Sequence, residues 1–147
     1  MRYFLLIPHL KLHNANAMSS PYTIGFPAMT AWLGAVHALQ RKLKQKGCDL
    51  NLNKVAVSCH HFNLQTYKGR GDFVHSIVST ANPLDKDGDR PAFIEEARCH
   101  LEVSLLIELE SSSKKQRDQL MELVNGIVAS MKFASGDVLS AKPCAIL

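Results

Sequence analysis

Residues 99–109, with the sequence CHLEVSLLIEL, decide the fold class of this chain. Apolar side chains occupy every second position from Leu101 to Leu109, and the positions between them include Glu102 and Ser104. A period of two predicts a β-strand with one buried face and one face open to solvent. We therefore expect a sheet that other elements cover on one side only.

Five further segments with clear periodicity accompany this strand. The first is an apolar strand that ends before Pro8, and Gly47 is expected to end the first helix. The predicted order is strand 2–7, helix 32–43, strand 54–64, strand 99–109, helix 113–131 and strand 137–140. This β-α-β-β-α-β order predicts an α+β domain with the ferredoxin-like or RNA-recognition-motif plan. A chain of 147 residues with 46% hydrophobic content is expected to form one such domain over residues 1–147.

Segment 66–98 is predicted to be a long insertion between the second and third strands. It is rich in Gly, Asp, Asn and Pro, and residues 73–79 within it have the composition of a strand. Insertions of this length inside a compact domain are usually functional or mobile. The insertion is therefore a candidate functional region.

A polar segment before the first helix is the first candidate for a binding site. Residues 14–27 read NANAMSSPYTIGFP and run into the helical pattern. The N-terminus of a helix favours phosphate, and amide or hydroxyl side chains beside it suit sugar and phosphate oxygens. The alternative is that these residues only form turns and a helix cap. The candidate RNA contacts here are Asn14, Asn16, Ser19, Ser20, Thr23, Gly25 and Phe26, where Phe26 either stacks on a base or packs under the loop.

The alternation of side chains along the predicted strands places two histidines on the face of the sheet that the helices leave open. If Val55 and Val57 point to the core, His60 faces the other way, and His100 shares the open side with Glu102. In this fold the open face often meets RNA or a protein partner. Acid–base catalysis is the alternative for His60 and His100, but the sequence has no evident nucleophile or second acid. No catalytic residue is therefore assigned.

Composition and cysteine spacing argue against a metal, a cofactor and a membrane segment. Cys59, His61 and Cys99 could meet on adjacent strands, but structural zinc sites normally contain close ligand pairs such as C-x-x-C, and the sequence has none. The four cysteines are expected to be reduced thiols in a cytoplasmic protein. No segment has the roughly 20 apolar residues that span a bilayer. The net charge of +4 is compatible with a polyanionic partner.

Several motifs resemble those of a known family. They are the run NANA-x-SSP-x-T-x-GFP from Asn14, the sequence HALQR from His37, the tetrapeptide CHHF from Cys59 and the run EEARCHLEVSL at residues 95–105. In this order they resemble the N-terminal half of the Csy-type, Cas-five-like (RAMP) subunit of the type I-F CRISPR surveillance complex. This complex serves antiviral defence.

The resemblance implies a non-catalytic subunit that binds RNA and promotes assembly. Such a subunit would hold the 5′ handle of the CRISPR guide RNA and pair with the large subunit and the backbone subunits. The matching insertion in the family forms a thumb-like hairpin that reaches towards guide RNA. Further candidate phosphate contacts are Arg41, Lys42, Lys68 and Arg70; for the first two, a favourable interaction with the helix dipole is the alternative.

Two other functions stay open because the chain resembles only half of the family. A truncated homologue could act as a decoy inhibitor of complex assembly, or as a protein-interaction module without RNA binding. The apolar end at residues 145–147 is expected to form a strand or a packing segment. We therefore predict a folded protein that self-associates or joins a partner through exposed apolar surface.

Overall fold

The computed structural model describes residues 2–78, 84–89, 96–110 and 114–147. Within these residues the fold is α+β, as predicted, with two helices and an antiparallel sheet. In chain order its elements are β1 (Arg2–Asn16), β2 (Met18–Ser20), β3 (Thr23–Ile24), α1 (Met29–Gln45), β4 (Asn51–Leu64), β5 (Thr66–Tyr67), β6 (Ser76–Ile77), β7 (Arg98–Glu110), α2 (Lys114–Val128), β8 (Lys132–Phe133), β9 (Gly136–Ser140) and β10 (Ala145–Ile146).

The main sheet contains six strands, and β1 and β7 occupy its centre. Its spatial order is β4-β7-β1-β9-β8, and each neighbouring pair is antiparallel. The predicted last strand therefore lies beside β1. The chain then continues along the same edge, because the Lys142 N–H donates to the Pro8 carbonyl at 3.1 Å and β10 pairs with Leu5 and Leu6. The apolar end of the chain forms a strand, as expected.

Strand β1 is much longer than the predicted strand 2–7. Its pairing with β7 is irregular at two places, and His9 (φ 50°) and Asn14 (φ 55°) have left-handed backbone conformations there. Each irregularity shifts the alternation of buried and exposed side chains along β1 by one residue. The buried positions of β1 are consequently Leu5 and Ile7, then Leu10 and Leu12, then Ala15. The predicted loop from Asn14 was wrong in this part, because Asn14 and Asn16 belong to the strand.

The core lies between the helices and one face of the sheet. Helices α1 and α2 pack against each other, and α1 packs against β4. From β7 the alternate residues Leu101, Val103, Leu105, Ile107 and Leu109 enter this core, as their spacing predicted. The helices contribute the stripes Trp32, Val36, Leu39 and Leu43 from α1 and Leu120, Val124, Ile127 and Val128 from α2. The opposite face of the sheet, called here the open face, carries the intervening residues of the strands.

The two ends of α1 differ in how well the sequence predicted them. Gly47 ends the helix as predicted, with φ 80°, a conformation that glycine adopts without a steric penalty. At the other end the N-cap residue is Ala28, which makes no side-chain capping hydrogen bond. The polar residues before the helix therefore do not cap it, and that part of the alternative interpretation was wrong.

The described part of the insertion contains a shorter strand than the sequence suggested. The strand expected at 73–79 reduces to Ser76–Ile77, which pairs with Thr66–Tyr67, while Ser79 lies outside the described residues. β7 begins at Arg98, so the predicted insertion boundary lies one residue inside the strand. In the described part of the chain, no helix is long and apolar enough to cross a membrane.

Candidate functional site

Four histidines of the open face form two stacked pairs. The rings of His9 and His60 lie with centroids 4.6 Å apart and planes 15° apart. The rings of His13 and His100 lie 4.3 Å apart with planes at 11°. We call these four residues the histidine row. His60 and His100 were candidates from strand parity, and the structure gives each of them a partner on β1.

The first pair is held by hydrogen bonds from neighbouring strands. His9 Nδ1 lies 2.6 Å from Glu102 Oε1, and His60 Nε2 lies 2.7 Å from Ser104 Oγ. The His9 backbone N–H also donates to Ser104 Oγ at 3.1 Å. The hydrogen bond with His9 lowers the pKa of Glu102, and the charge of Lys11, 4.0 Å away, acts in the same direction. Glu102 is therefore a carboxylate at neutral pH.

The second pair is joined to the polar segment by a backbone hydrogen bond. The Asn14 N–H donates to His100 Nδ1 at 3.1 Å, so Nδ1 is an acceptor and the ring proton is on Nε2. Burial and the nearby His13 lower the pKa of His100, which favours the same neutral form. Asp137 of β9 is opposite His13 in the sheet. A hydrogen bond from Lys132 and the charge of the same lysine lower the pKa of Asp137.

The polar segment itself is a hairpin rather than a loop. Ser20 Oγ donates to Thr23 Oγ1 at 3.0 Å and Ser19 Oγ donates to the Thr23 carbonyl at 3.4 Å, across the β2–β3 ladder. Asn16 Oδ1 accepts the N–H of Met18 at 2.9 Å. These side chains therefore stabilise the hairpin, and their contact with RNA stays a prediction. Its tip presents Tyr22, which is 98% exposed.

Gly25 and Phe26 follow the hairpin and connect it to α1. The Gly25 N–H donates to the Ala17 carbonyl at 2.7 Å, which returns the chain to the end of β1. The Phe26 ring stacks on Trp32 with centroids 5.7 Å apart and is half-buried against the core. Of the two roles open to Phe26, the structure supports packing under the hairpin.

The four basic candidates do not join the hairpin. Arg41 and Lys42 are exposed in the second half of α1, about 18 Å along the helix axis from its first residue. Lys68 and Arg70 are exposed just after β5, in the turn where the Gly69 N–H donates to Asp72 Oδ2 at 2.7 Å. The candidates thus lie in three regions, and the hydrogen bond from the Asn14 N–H to His100 joins two of them, the hairpin and the histidine row.

Sequence analysis missed His9, Lys11 and His13, although a signal for them was present. From His9 onwards the sequence HLKLH alternates polar and apolar residues, which is the pattern of a half-buried strand. Pro8 concealed it, because proline is uncommon inside a strand of a sheet. In the structure this proline lies at the first irregularity of β1, where the strand continues.

Two of the residues that were considered as zinc ligands differ strongly in burial. Cys99 is fully buried with Sγ 3.6 Å from the Ala15 carbonyl, whereas Cys59 is exposed. Burial raises the pKa of Cys99 to about 11. The described residues contain no group of three or more His, Cys, Asp or Glu side chains that could hold a metal ion.

Comparisons with known proteins identify relatives of most of the chain. The profile of the family described as CRISPR-associated protein (Cas_Csy2) matches residues 5–147. A CRISPR-associated protein Csy2 from Pseudomonas aeruginosa (strain UCBPP-PA14) is 39% identical over 137 residues. That alignment covers 92% of this chain and 42% of the relative, so the chain spans less than half of the relative's length.

Proposed function

The chain belongs to the Csy2 family of CRISPR-associated proteins, as its motifs predicted, and on this premise we propose that it is a non-catalytic RNA-binding and assembly subunit. In this role it belongs to a type I-F surveillance complex in the cytoplasm. It holds the 5′ handle of the guide RNA and pairs with the large subunit and the backbone subunits.

The strand order supports the proposal that the chain has a ferredoxin-like fold. The four main strands are, in chain order, β1, β4, β7 and β9. Across the sheet they lie in the order β4-β7-β1-β9, so the second and third strands of the chain come first, followed by the first and the fourth. A helix follows the first strand and another follows the third, which is the split β-α-β arrangement. On this proposal the chain is one domain over residues 1–147 with an insertion at 66–98.

One contact carries the proposal, namely the hydrogen bond between Asn14 and His100. It joins the root of the polar hairpin to the open face, so that one continuous surface contains both sets of candidates. The Arg98 guanidinium donates to the Asn14 carbonyl at 3.4 Å and adds a cation to the same place. Amide, hydroxyl and imidazole groups beside a guanidinium are suited to the sugars, bases and phosphates of an RNA end.

The basic residues outside this surface have a supporting role in the proposal. Arg41 and Lys42 on α1, and Lys68 and Arg70 on the insertion, are exposed and lie on other elements than the hairpin. They act as long-range or secondary phosphate contacts, consistent with the net charge of +4. Such contacts release counterions and make binding dependent on salt.

The test is a comparison of two RNAs of equal length by fluorescence anisotropy. One RNA carries the type I-F guide 5′ handle and the other has an unrelated sequence. We expect tighter binding of the handle RNA, with an affinity that falls as salt rises because phosphate contacts are lost. Equal affinity for both RNAs would contradict the handle-binding role. Binding to the large subunit without any RNA binding would support a protein-interaction module instead.

A further inference from the structure

We propose that the histidine row binds unpaired bases of single-stranded RNA by stacking, one base at each histidine pair. The proposal rests on the RNA-binding function above and deepens it. It adds His9 and His13 to the contact surface and distinguishes base contacts on the sheet from the phosphate contacts expected elsewhere. The argument depends on how the rings are held, on the charge around them and on their spacing.

The rings are fixed before any ligand binds. His9 and His60 stack at 4.6 Å while Glu102 and Ser104 hold one nitrogen of each ring. His13 and His100 stack at 4.3 Å, and the Asn14 N–H fixes the orientation of the His100 ring. Flat rings that are already oriented lose little conformational entropy when a further ring stacks on them.

The charge around the pairs favours bases over phosphates. Three cations near the row are paired with carboxylates: Lys11 lies 4.0 Å from Glu102, Lys132 is hydrogen-bonded to Asp137 at 2.5 Å and Arg98 to Glu96. The charges of these three cations are therefore compensated by the neighbouring carboxylates. His100 is itself held in the neutral form with its proton on Nε2. An uncharged base matches such a surface better than a phosphate group does.

The spacing of the pairs indicates two separate binding positions. His100 and Ser104, which contacts His60, are four residues apart on β7, so the two pairs lie about 13 Å apart along the strand. Successive stacked bases are only about 3.4 Å apart, so one continuous base stack of two nucleotides cannot reach both pairs. Each pair therefore receives its own base, and two adjacent nucleotides reach both pairs only when their bases are unstacked from each other.

The first experiment changes the RNA and leaves the protein intact. The full chain is titrated with a fluorescently labelled handle RNA and with the same RNA in which the bases are replaced by abasic sites. Base–aromatic stacking on two pairs predicts binding that is at least about fivefold weaker for the abasic RNA. Equal affinity would show a contact with the backbone only and would overturn the proposal.

The second experiment separates stacking from other roles of the ring. His13→Leu removes the aromatic ring, and His13→Phe keeps a ring that can stack but has no nitrogen. We expect His13→Leu to bind the intact RNA at least about fivefold more weakly and His13→Phe to bind it nearly as well as the natural chain. His37→Leu is the matched control, because His37 is exposed on α1 and remote from the open face in the fold.

The outcomes distinguish this proposal from the function on which it rests. If the natural chain binds handle RNA but neither His13 variant differs from it, the stacking proposal is wrong and RNA binding stands. If His13→Phe is as weak as His13→Leu, the ring does not act by stacking and the proposal is also wrong. If the natural chain binds no RNA, both proposals fail. Circular dichroism of each variant checks that it is folded, and the abasic comparison needs no variant.

Discussion

At His100 the open face combines burial, a stacked neighbour and a backbone donor. Burial and His13 lower the pKa of His100 below its ordinary value of 6.5, and the Asn14 N–H occupies the nitrogen that would take the proton. As the pH falls below 6.5, the unfolded chain therefore binds a proton here before the folded chain does. The stability contributed by neutral His100 is complete above this pH and is lost on acidification.

We predict that His100→Gln reduces this acid-induced loss of stability. Glutamine can still accept the Asn14 N–H through its side-chain oxygen but does not titrate. Urea unfolding at about pH 7.5 and about pH 5.5 would measure the difference in the free energy of unfolding, which should be smaller in the variant. A His37→Gln control should retain the full loss. The same loss in the natural chain and in His100→Gln would contradict the prediction.

At the scale of the elements, Gly136 allows the start of β9 to lie close against β1. A Cβ at Gly136 would lie 3.0 Å from the backbone N and Cα of Ala15. Ala15 lies in the central strand and is fully buried, so it cannot move aside without disturbing the sheet. The sequence suggested only that this glycine introduces a strand, whereas the structure gives its steric reason.

We predict that Gly136→Ala lowers the free energy of unfolding by about 1–3 kcal/mol, the usual cost of overpacking. The matched control is Gly34→Ala, where an added Cβ in the middle of α1 meets no atom within 4 Å. That substitution should raise stability by about 0.5–1 kcal/mol, because alanine favours the helix more than glycine does. Urea unfolding measures both, and a Gly136→Ala variant as stable as the natural chain would exclude the close contact.

At the scale of the whole molecule, one end of the open face is apolar and accessible. A groove of about 360 Å³ there is lined by the apolar residues Phe4, Val55, Ala56 and Leu106 and by the charged pair Lys54 and Glu108. Phe4 is 38% exposed, and the Lys54 ammonium lies 2.9 Å from Glu108. An exposed apolar surface with a charged rim is typical of a site of protein association.

We predict that the chain self-associates or binds the large subunit through this groove. Analytical ultracentrifugation at micromolar concentration should detect a dimer, and Phe4→Ser should weaken it because the apolar contact is lost. Phe73→Ser is the control, since Phe73 is 98% exposed but lies on the insertion. A strictly monomeric chain that does not bind the large subunit would contradict the assembly role.

Local patterns were sufficient for most of the architecture and for the family. The alternation in residues 99–109 predicted β7 and its two faces, and apolar spacing around Trp32 and Leu120 predicted both helices. These features depend on the 2.0 and 3.6 residue periods of strand and helix, which the chain carries by itself. The family followed from short motifs, which likewise require no knowledge of distant contacts.

Only the tertiary structure decided the length of β1 and the contents of the candidate site. The irregularities at His9 and Asn14 arise from pairing with β7, about 90 residues away in the chain, and each one breaks the local period. The same long-range pairing stacks His9 on His60 and His13 on His100. The packing of Phe26 against the core likewise depends on the position of Trp32 in α1. Sequence periodicity tells which side of a strand a residue occupies, but which rings meet there is set by strand register, and register is a property of the assembled sheet.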